Sequence, residues 1–413
     1  LPSRPGLLSL ILRSFASLKT QKVKIIPIYI GYEKILEGQS YLSELSGSKK
    51  KSESLLDPFK VLKDFNDYLG NAYLNFGEPL DLGEFLEENV SQGFHIDSPL
   101  ERPEWLKPVT GLLGDEIIRS INSSVAVSST SLFAISLLTD PTQALNKDSL
   151  KKRISFYLTL VNKSDAYKDV WLTETNPEEI ISKVEKLRFI KHQLIGSDSV
   201  YNPTPSEVAA LSFYKNNISH IFMLYSLICE SVRYVEKISK EDLYSLIEMI
   251  YPIISREYFL QSSHIEKKEI DNSLKTLLEE GVLISKEPES YSKPSRNDDH
   301  FNKYLSLCNI CEPSVKRFYI AMSVLWSQDN ISKEKLQTDC DSIAKELERL
   351  EGWPYPEFSD KTKFHNFIEL LITERYVKAD KELLSASKIT LKAQDSYKVF
   401  FDNRFLELIQ NIN

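Results

Sequence analysis

Cysteine is scarce in this chain. Four residues in 413, Cys229, Cys308, Cys311 and Cys340, are too few for a disulfide framework and suit a reducing compartment, with the cytosol as the default. Thirteen glycines and 18 prolines exclude collagen-like and low-complexity readings. Positive charge is in the minority: 51 Lys and Arg stand against 59 Asp and Glu, a net charge of −8. Nothing global therefore draws the chain to DNA or to an anionic lipid surface, and any polyanion site has to be local.

Long apolar runs are also missing. The stretch Gly6 to Leu12 is cut short by Arg13 and is followed by no small-residue cleavage site, which argues against a signal peptide. Ser120 to Thr139 lacks charge over about the length of a membrane span, but half of its residues are Ser, Thr or Asn. We read it as a buried helix of a soluble fold. Ile218 to Cys229, which contains His220, reads as a core helix.

What is present is ample apolar material, 42% of the residues with 11% aromatic, in a length that suits two or three domains. Leu7, Leu8, Ile11, Leu12, Phe15 and Leu18 fall at helical spacing and predict an amphipathic helix over 7–18. A β-branched run follows from Val23 to Glu33, interrupted by Pro27, which has no N–H for a ladder and so requires a local break in pairing. Asn71 to Phe76 predicts a second strand, and Tyr41 to Tyr68 a helix around a Lys49-Lys50-Lys51 loop. This pattern is the tail of an α/β layered domain over 1–95. Residues 96–110, with Pro99, Pro103 and Pro108, form a linker.

From Gly111 the chain is mainly α, with a helical domain over 111–285, a loop over 286–300 and a helical C-terminal region over 301–413. Helices are expected at 111–139, 147–162, 177–195, 205–237, 240–259, 266–281, 312–327, 332–350 and 362–376. Glu266 to Glu280 followed by Gly281-Val282-Leu283-Ile284 reads as the helix and first wing strand of a winged helix, and Glu369 to Lys378 repeats the pattern weakly. The acidic residues on that helix would repel phosphates, so no nucleic-acid partner is expected. No cofactor is expected either. Cys308-Asn309-Ile310-Cys311 lacks the second ligand pair that a zinc site needs, and there is no HExxH, P-loop, G-x-S-x-G or G-x-G-x-x-G motif.

Ile25-Ile26-Pro27-Ile28-Tyr29-Ile30-Gly31-Tyr32-Glu33 resembles the fourth sequence block of the proteobacterial, membrane-associated glycerol-3-phosphate 1-O-acyltransferases. Gly6-Leu7-Leu8-Ser9 is similar to the stretch before that block, and Tyr73 to Pro79 to the strand after it. The similarity continues through Glu257-Tyr258-Phe259-Leu260 and Gly352-Trp353-Pro354-Tyr355-Pro356-Glu357-Phe358. The resemblance implies transfer of a fatty acyl group from acyl-CoA or acyl carrier protein to the sn-1 hydroxyl of glycerol 3-phosphate, the first step of phospholipid synthesis, by a peripheral protein on the cytoplasmic face of a bacterial inner membrane.

In that family a His followed after four residues by an Asp acts as general base, and arginine-bearing blocks meet the phosphate. Neither feature is here. The fifth residue after each histidine is Leu100, Ser197, Tyr225, Glu269, Leu305 or Leu370, and Glu37-Gly38, Glu280-Gly281 and Glu351-Gly352 lack the required Arg. With Leu1 in place of Met, the expectation is a C-terminal part that starts after the third block and is inactive alone. The substrate-binding residues expected in it are Pro27, Tyr29, Tyr32 and Glu33, because a strand that loses pairing and then exposes an aromatic and a carboxylate can wall a pocket. The rival reading is a noncatalytic winged-helix protein that binds nucleic acid or a protein partner.

Overall fold

The computed structural model describes residues 5–18, 22–35, 68–167, 170–188, 190, 192–195, 198–328, 330–351, 358 and 361–412. The helix expected over Tyr41–Tyr68, its lysine loop, Glu37-Gly38 and the Gly352–Glu357 motif lie outside them, Tyr68 apart.

The N-terminal part is a small layered unit. Helix α1 (Pro5–Ser17) buries Leu12, Phe15 and Ala16 with Leu8 and Ile11 partly covered, whereas Leu7 and Leu18, expected on the same stripe, are exposed. β1 (Lys24–Ile25) and β2 (Ile28–Tyr32) follow, then β3 (Ala72–Phe76), β4 (Leu80–Asp81) and α2 (Leu82–Asn89). Asp81 caps α2 by accepting from the Gly83 and Glu84 amides. β1 pairs antiparallel with β4, and β2 with β3 in the register Ile28 to Phe76 through Tyr32 to Ala72. Helix α3 (Leu106–Ser123) takes Pro108 in its first turn, where its missing N–H costs nothing. Leu12, Phe15, Leu82, Leu86, Phe94, Leu106 and Leu113 make this unit's own apolar core.

The helix expected over 111–139 is two helices. After α3 ends at Ser123, β5 (Ala126–Val127) pairs in parallel with β7 (Trp171–Leu172), and α4 (Ser129–Leu138) begins at an Ser128 cap. Serine is the reason. Ser123 and Ser124 turn their hydroxyls back to the Arg119 and Ser120 carbonyls, and Ser128 accepts from the Ser131 amide, so side chains that compete with the helical ladder end one helix and start the next. Every residue of α4 is buried.

The remainder repeats one design three times. In the first copy β6 (Leu145–Asn146) leads into α5 (Lys147–Lys163) and, beyond β7, α6 (Pro177–Leu187) and the hairpin of β8 (His192–Ile195) and β9 (Asp198–Tyr201). In the second, helices α7 (Pro205–Ser219) and α8 (Met223–Val232) precede β10 (Ile238–Ser239), α9 (Lys240–Tyr258), α10 (Lys267–Glu279), β11 (Ile284–Glu287) and β12 (Ser290–Ser292). In the third, α11 (Phe301–Ser327) precedes β13 (Ile331–Ser332), α12 (Lys333–Glu351), α13 (Lys361–Thr373), β14 (Val377–Asp380) and β15 (Leu383–Ala386). Each sheet runs first strand, third strand, second strand, all antiparallel. The first strands open at residues 145, 238 and 331; 238 less 145 and 331 less 238 both give 93. Asn146, Ser239 and Ser332 each accept an amide of the helix that follows, and Arg188, Gly281 and Arg375 each turn the chain at positive φ before the hairpin. Short helices α14 (Lys388–Lys392), α15 (Gln394–Tyr397) and α16 (Asn403–Ile412) close the chain.

Two expectations are corrected here. The helix over 177–195 stops at Leu187, because Arg188 takes the left-handed conformation and a strand follows. Residues 286–300, expected as an exposed loop, begin with hairpin strands that bury Tyr291 opposite Ile238. Buried apolar residues from Val125 to Ile409 form one continuous core across the three copies.

Candidate functional site

Pro27 sits between β1 and β2, buried, at the point where the chain changes partner from β4 to β3. Its carbonyl accepts from the Gly77 amide at 2.8 Å, so only the bond its ring nitrogen could never make is missing. From there the two-residue period of a strand divides the remaining site candidates. Tyr29, Gly31 and Glu33 turn toward the helical region; Ile28, Ile30 and Tyr32 turn away from it.

On the inner side the Tyr29 ring lies over Gly31, where a Cβ would come within 2.7 Å of it, and its hydroxyl reaches the Ala126 carbonyl at 3.5 Å. Burial pushes its pKa up to about 12. Glu33 is wholly buried. One carboxylate oxygen accepts from the Tyr73 hydroxyl at 2.6 Å, and the other from the Asn71 amide at 3.1 Å. Its own amide donates to the Asn71 carbonyl, and its carbonyl accepts from the Thr130 hydroxyl at 2.9 Å. Trp171 stands edge-on to Tyr73, with ring centroids 5.3 Å apart. The expectation that Glu33 is exposed at the strand end is thereby corrected. The same alternation that carries it to the strand end points it inward, where hydrogen bonds satisfy it.

The outer side is open. Tyr32 is 52% exposed, and Ile28, Ile30, Leu74 and Phe76 are exposed beside it on the same face of β2 and β3. Single exposed apolar residues are ordinary, whereas a contiguous face of this kind marks a surface built to be covered or to bind. The four candidates therefore do not converge on one point. Pro27 sets the strand, Tyr29 and Glu33 stand behind it, and Tyr32 alone of the four is on the open face.

Sequence reasoning missed Asn71, Tyr73, Thr130 and Tyr214, the last of which accepts the Ile35 amide at 2.9 Å. Tyr73 carried a readable signal, since its alternation in β3 places it on the side of Gly31, its register partner. Thr130 and Tyr214 carried none, because nothing local shows which distant strand a helical hydroxyl will meet.

The histidines offer no base beside this strand's carboxylate. His220 is buried against Tyr167 with Nε2 at 3.1 Å from the Asn122 carbonyl, and burial lowers its pKa to about 4. His300 pairs with Asp298 at 2.8 Å, a local turn contact in the second copy of the repeat. Cys229, Cys308 and Cys311 are buried thiols whose pKa values burial drives upward. Among the described residues no cluster of three or more His, Cys, Asp or Glu could hold a metal ion, and no helix is long and apolar enough to cross a membrane. A cavity of about 60 Å³ lined by Tyr167, His220, Tyr225, Tyr251 and Glu269 has room for a few waters.

Residues 41–380 match the family described as the glycerol-3-phosphate acyltransferase C-terminal region. The chain belongs to this family. It is 32% identical over 385 residues to the glycerol-3-phosphate acyltransferase of Pseudomonas putida (strain W619), covering 92% of this chain and 46% of that protein. Against the glycerol-3-phosphate acyltransferase of Pseudomonas aeruginosa (strain UCBPP-PA14) it is 31% identical over 381 residues, covering 91% and 46%. The chain thus spans about half the length of the curated relatives it matches.

The family's similarity also passes through Glu257-Tyr258-Phe259-Leu260, which is a structural joint. Phe259 ends α9 in the left-handed conformation, Asn122 donates to the Tyr258 and Phe259 carbonyls, Glu257 pairs with Arg317, and the Tyr258 hydroxyl meets that of Ser314 at 2.9 Å. This joint ties α3 to the second and third copies of the repeat.

Proposed function

We propose that this chain is the C-terminal part of an enzyme that transfers a fatty acyl group from acyl-CoA or acyl carrier protein to the sn-1 hydroxyl of glycerol 3-phosphate, at the cytoplasmic face of a bacterial inner membrane as a peripheral protein. The observation that carries this reading is the family match over residues 41–380, joined to relatives of that name along more than nine-tenths of the chain. In the reaction the substrate hydroxyl oxygen attacks the thioester carbonyl carbon, the C–S bond breaks, and the proton lost from the hydroxyl ends on the departing thiol. A base has to hold that proton in transit. None of the six histidines is followed by an Asp at the family spacing, which supports a base supplied from sequence outside this chain.

Within the chain the site strand is Pro27 to Glu33. Pro27 fixes how the strand leaves its break, Tyr32 serves the substrate side, and Tyr29 and Glu33 support it from behind; their burial pattern favours this division. Residues 1–95 are the tail of the acyltransferase domain, and the open apolar face of β2 and β3 is in keeping with a ribbon that another layer covers. Residues 96–110 lead from it into helical regions over 111–285 and 301–413 that meet about 286–300, with Leu106 and Val109 still packed in its core. The repeated strand, helix, helix and hairpin units are winged-helix modules in a packing role. The test is an acyl-transfer assay with glycerol 3-phosphate and palmitoyl-CoA on the protein encoded by the complete gene. Activity that is lost on replacing the upstream His of a His-x4-Asp block supports the reading; an inactive complete protein, or a gene without that block, overturns it.

A further inference from the structure

The exit of β2 is held by main-chain hydrogen bonds to two helices far away in sequence. The Glu33 carbonyl accepts from Thr130, wholly buried in the first turn of α4, at 2.9 Å. Two residues on, the Ile35 amide donates to the hydroxyl of Tyr214, buried in α7, at 2.9 Å. The separations in sequence are 97 and 179 residues. α4 and α7 pack directly on each other, so the two anchors belong to one rigid pair. The same segment serves the rest of the hairpin: Asn75 donates to the Ser124 carbonyl at 2.9 Å, and Tyr29 reaches that of Ala126.

These contacts fix a path, not a side chain. A two-stranded ribbon is at best marginally stable by itself, and a strand end whose carbonyl and amide lack partners frays. Tyr32 lies immediately before this anchor. The direction of its ring on the open face follows from the backbone at Tyr32 and Glu33, which Thr130 and Tyr214 hold.

We propose that the helical region positions the acyl-transfer strand, with Thr130 and Tyr214 as positioning residues that act through the Glu33–Ile35 backbone. The catalytic half of this inference rests on the function proposed above; the structural half does not.

The experiment has two arms. In the first, amide hydrogen exchange is followed in the 413-residue chain. Thr130→Val keeps the shape and removes the donor, whereas Thr130→Ser keeps the donor. Exchange over residues 33–35 is expected to rise about fivefold in Thr130→Val, the population change that one lost hydrogen bond gives, with α4 itself unchanged and Thr130→Ser close to the parent. Equal exchange in Thr130→Val and the parent, or an equal rise in both variants, overturns the anchor. In the second arm the complete enzyme carries the same substitutions or Tyr214→Phe. A displacement of about 1 Å costs on the order of a hundredfold in rate, so a fall in kcat of at least about tenfold is expected in Thr130→Val and Tyr214→Phe, with KM for both substrates within about twofold and recovery in Thr130→Ser. Rates within twofold of the parent in both variants overturn the positioning role. An inactive parent enzyme overturns the acyl-transfer reading and the catalytic half with it, while the exchange arm still decides whether the helices hold the strand.

Discussion

The Tyr73 hydroxyl donates to the Glu33 carboxylate at 2.6 Å across the β2–β3 ribbon, and both groups are buried. Glu33 has two named donors, Tyr73 and the Asn71 amide. Removing one leaves a buried carboxylate short of a partner, the costly direction of the hydrogen-bond balance. Tyr73→Phe is expected to lower stability by about 1.5 to 3 kcal/mol, the range for a bond to a charged group, read as a lowered urea midpoint with an unchanged slope. An unmoved midpoint would mean that the carboxylate finds water instead.

Pro27→Ala tests the neighbouring break. No ladder bond is lost, and the carbonyl that accepts from Gly77 is retained, so stability is expected to move by no more than about 1 kcal/mol. In the complete enzyme kcat/KM for glycerol 3-phosphate is expected to fall by on the order of a hundredfold, because the strand's departure angle is no longer fixed. Near-normal kinetics would show that Pro27 only shapes the strand, and an unfolded variant that it is structural.

His220 sets an acid limit. Its folded pKa of about 4 lies below the ordinary 6.5, with burial as the first cause, so the unfolded chain binds the extra proton between those values. Stability from this group is complete above about pH 6.5 and is lost as pH falls toward 4, by about 3 kcal/mol in all. His220→Asn should flatten that part of the pH profile relative to the parent. Parallel profiles for the two proteins would show that another group is responsible.

The acidic excess on α10 leads to a negative result in solution. Glu269, Asp271, Glu279 and Glu280 outnumber Lys267, Lys268 and Lys275 on that helix and its cap, and Lys163 is already paired with Glu279 and Glu280. The chain should show no salt-sensitive shift of duplex DNA at micromolar protein and about 0.15 M salt. A shift that weakens with added salt would restore the nucleic-acid reading.

How legible this was depended on the range of the signal. The helix of residues 5–17, the strand pair around Pro27 and Phe76, and most helices from Lys147 onward follow from periodicity, a local property. The break at Ser123–Ser128 does not, since serine and valine at helical spacing look continuous until the hydroxyls choose backbone partners. The repeat was half visible. Its second copy shows the helix and wing pattern clearly, with Gly281 at the turn, while the third shows it weakly and the first hides it, Arg375 and Arg188 standing at that turn instead. The shared signal is slight: Leu145-Asn146-Lys147, Ile238-Ser239-Lys240 and Ile331-Ser332-Lys333. At the site, the strand and its four residues were named from sequence, but their division between two faces needed the pairing register.

The 93-residue spacing has a consequence for how damage spreads. A linear array whose members touch only their neighbours has a stability close to a sum of unit and interface contributions, but here the first and third copies also meet, Tyr157 donating to the Ser306 carbonyl and Asn309 to that of Thr139. The strand end at Glu33 is moored to the helix that leads the first unit and to one that leads the second. A harmful substitution in either of those should reach the strand directly, and one in α11 should reach it through the end of α4, where Asn309 donates to the Thr139 carbonyl. Mutational reach is therefore not graded along the chain, and a variant that disorders α11 in the third unit should loosen the mooring of Tyr32 as well.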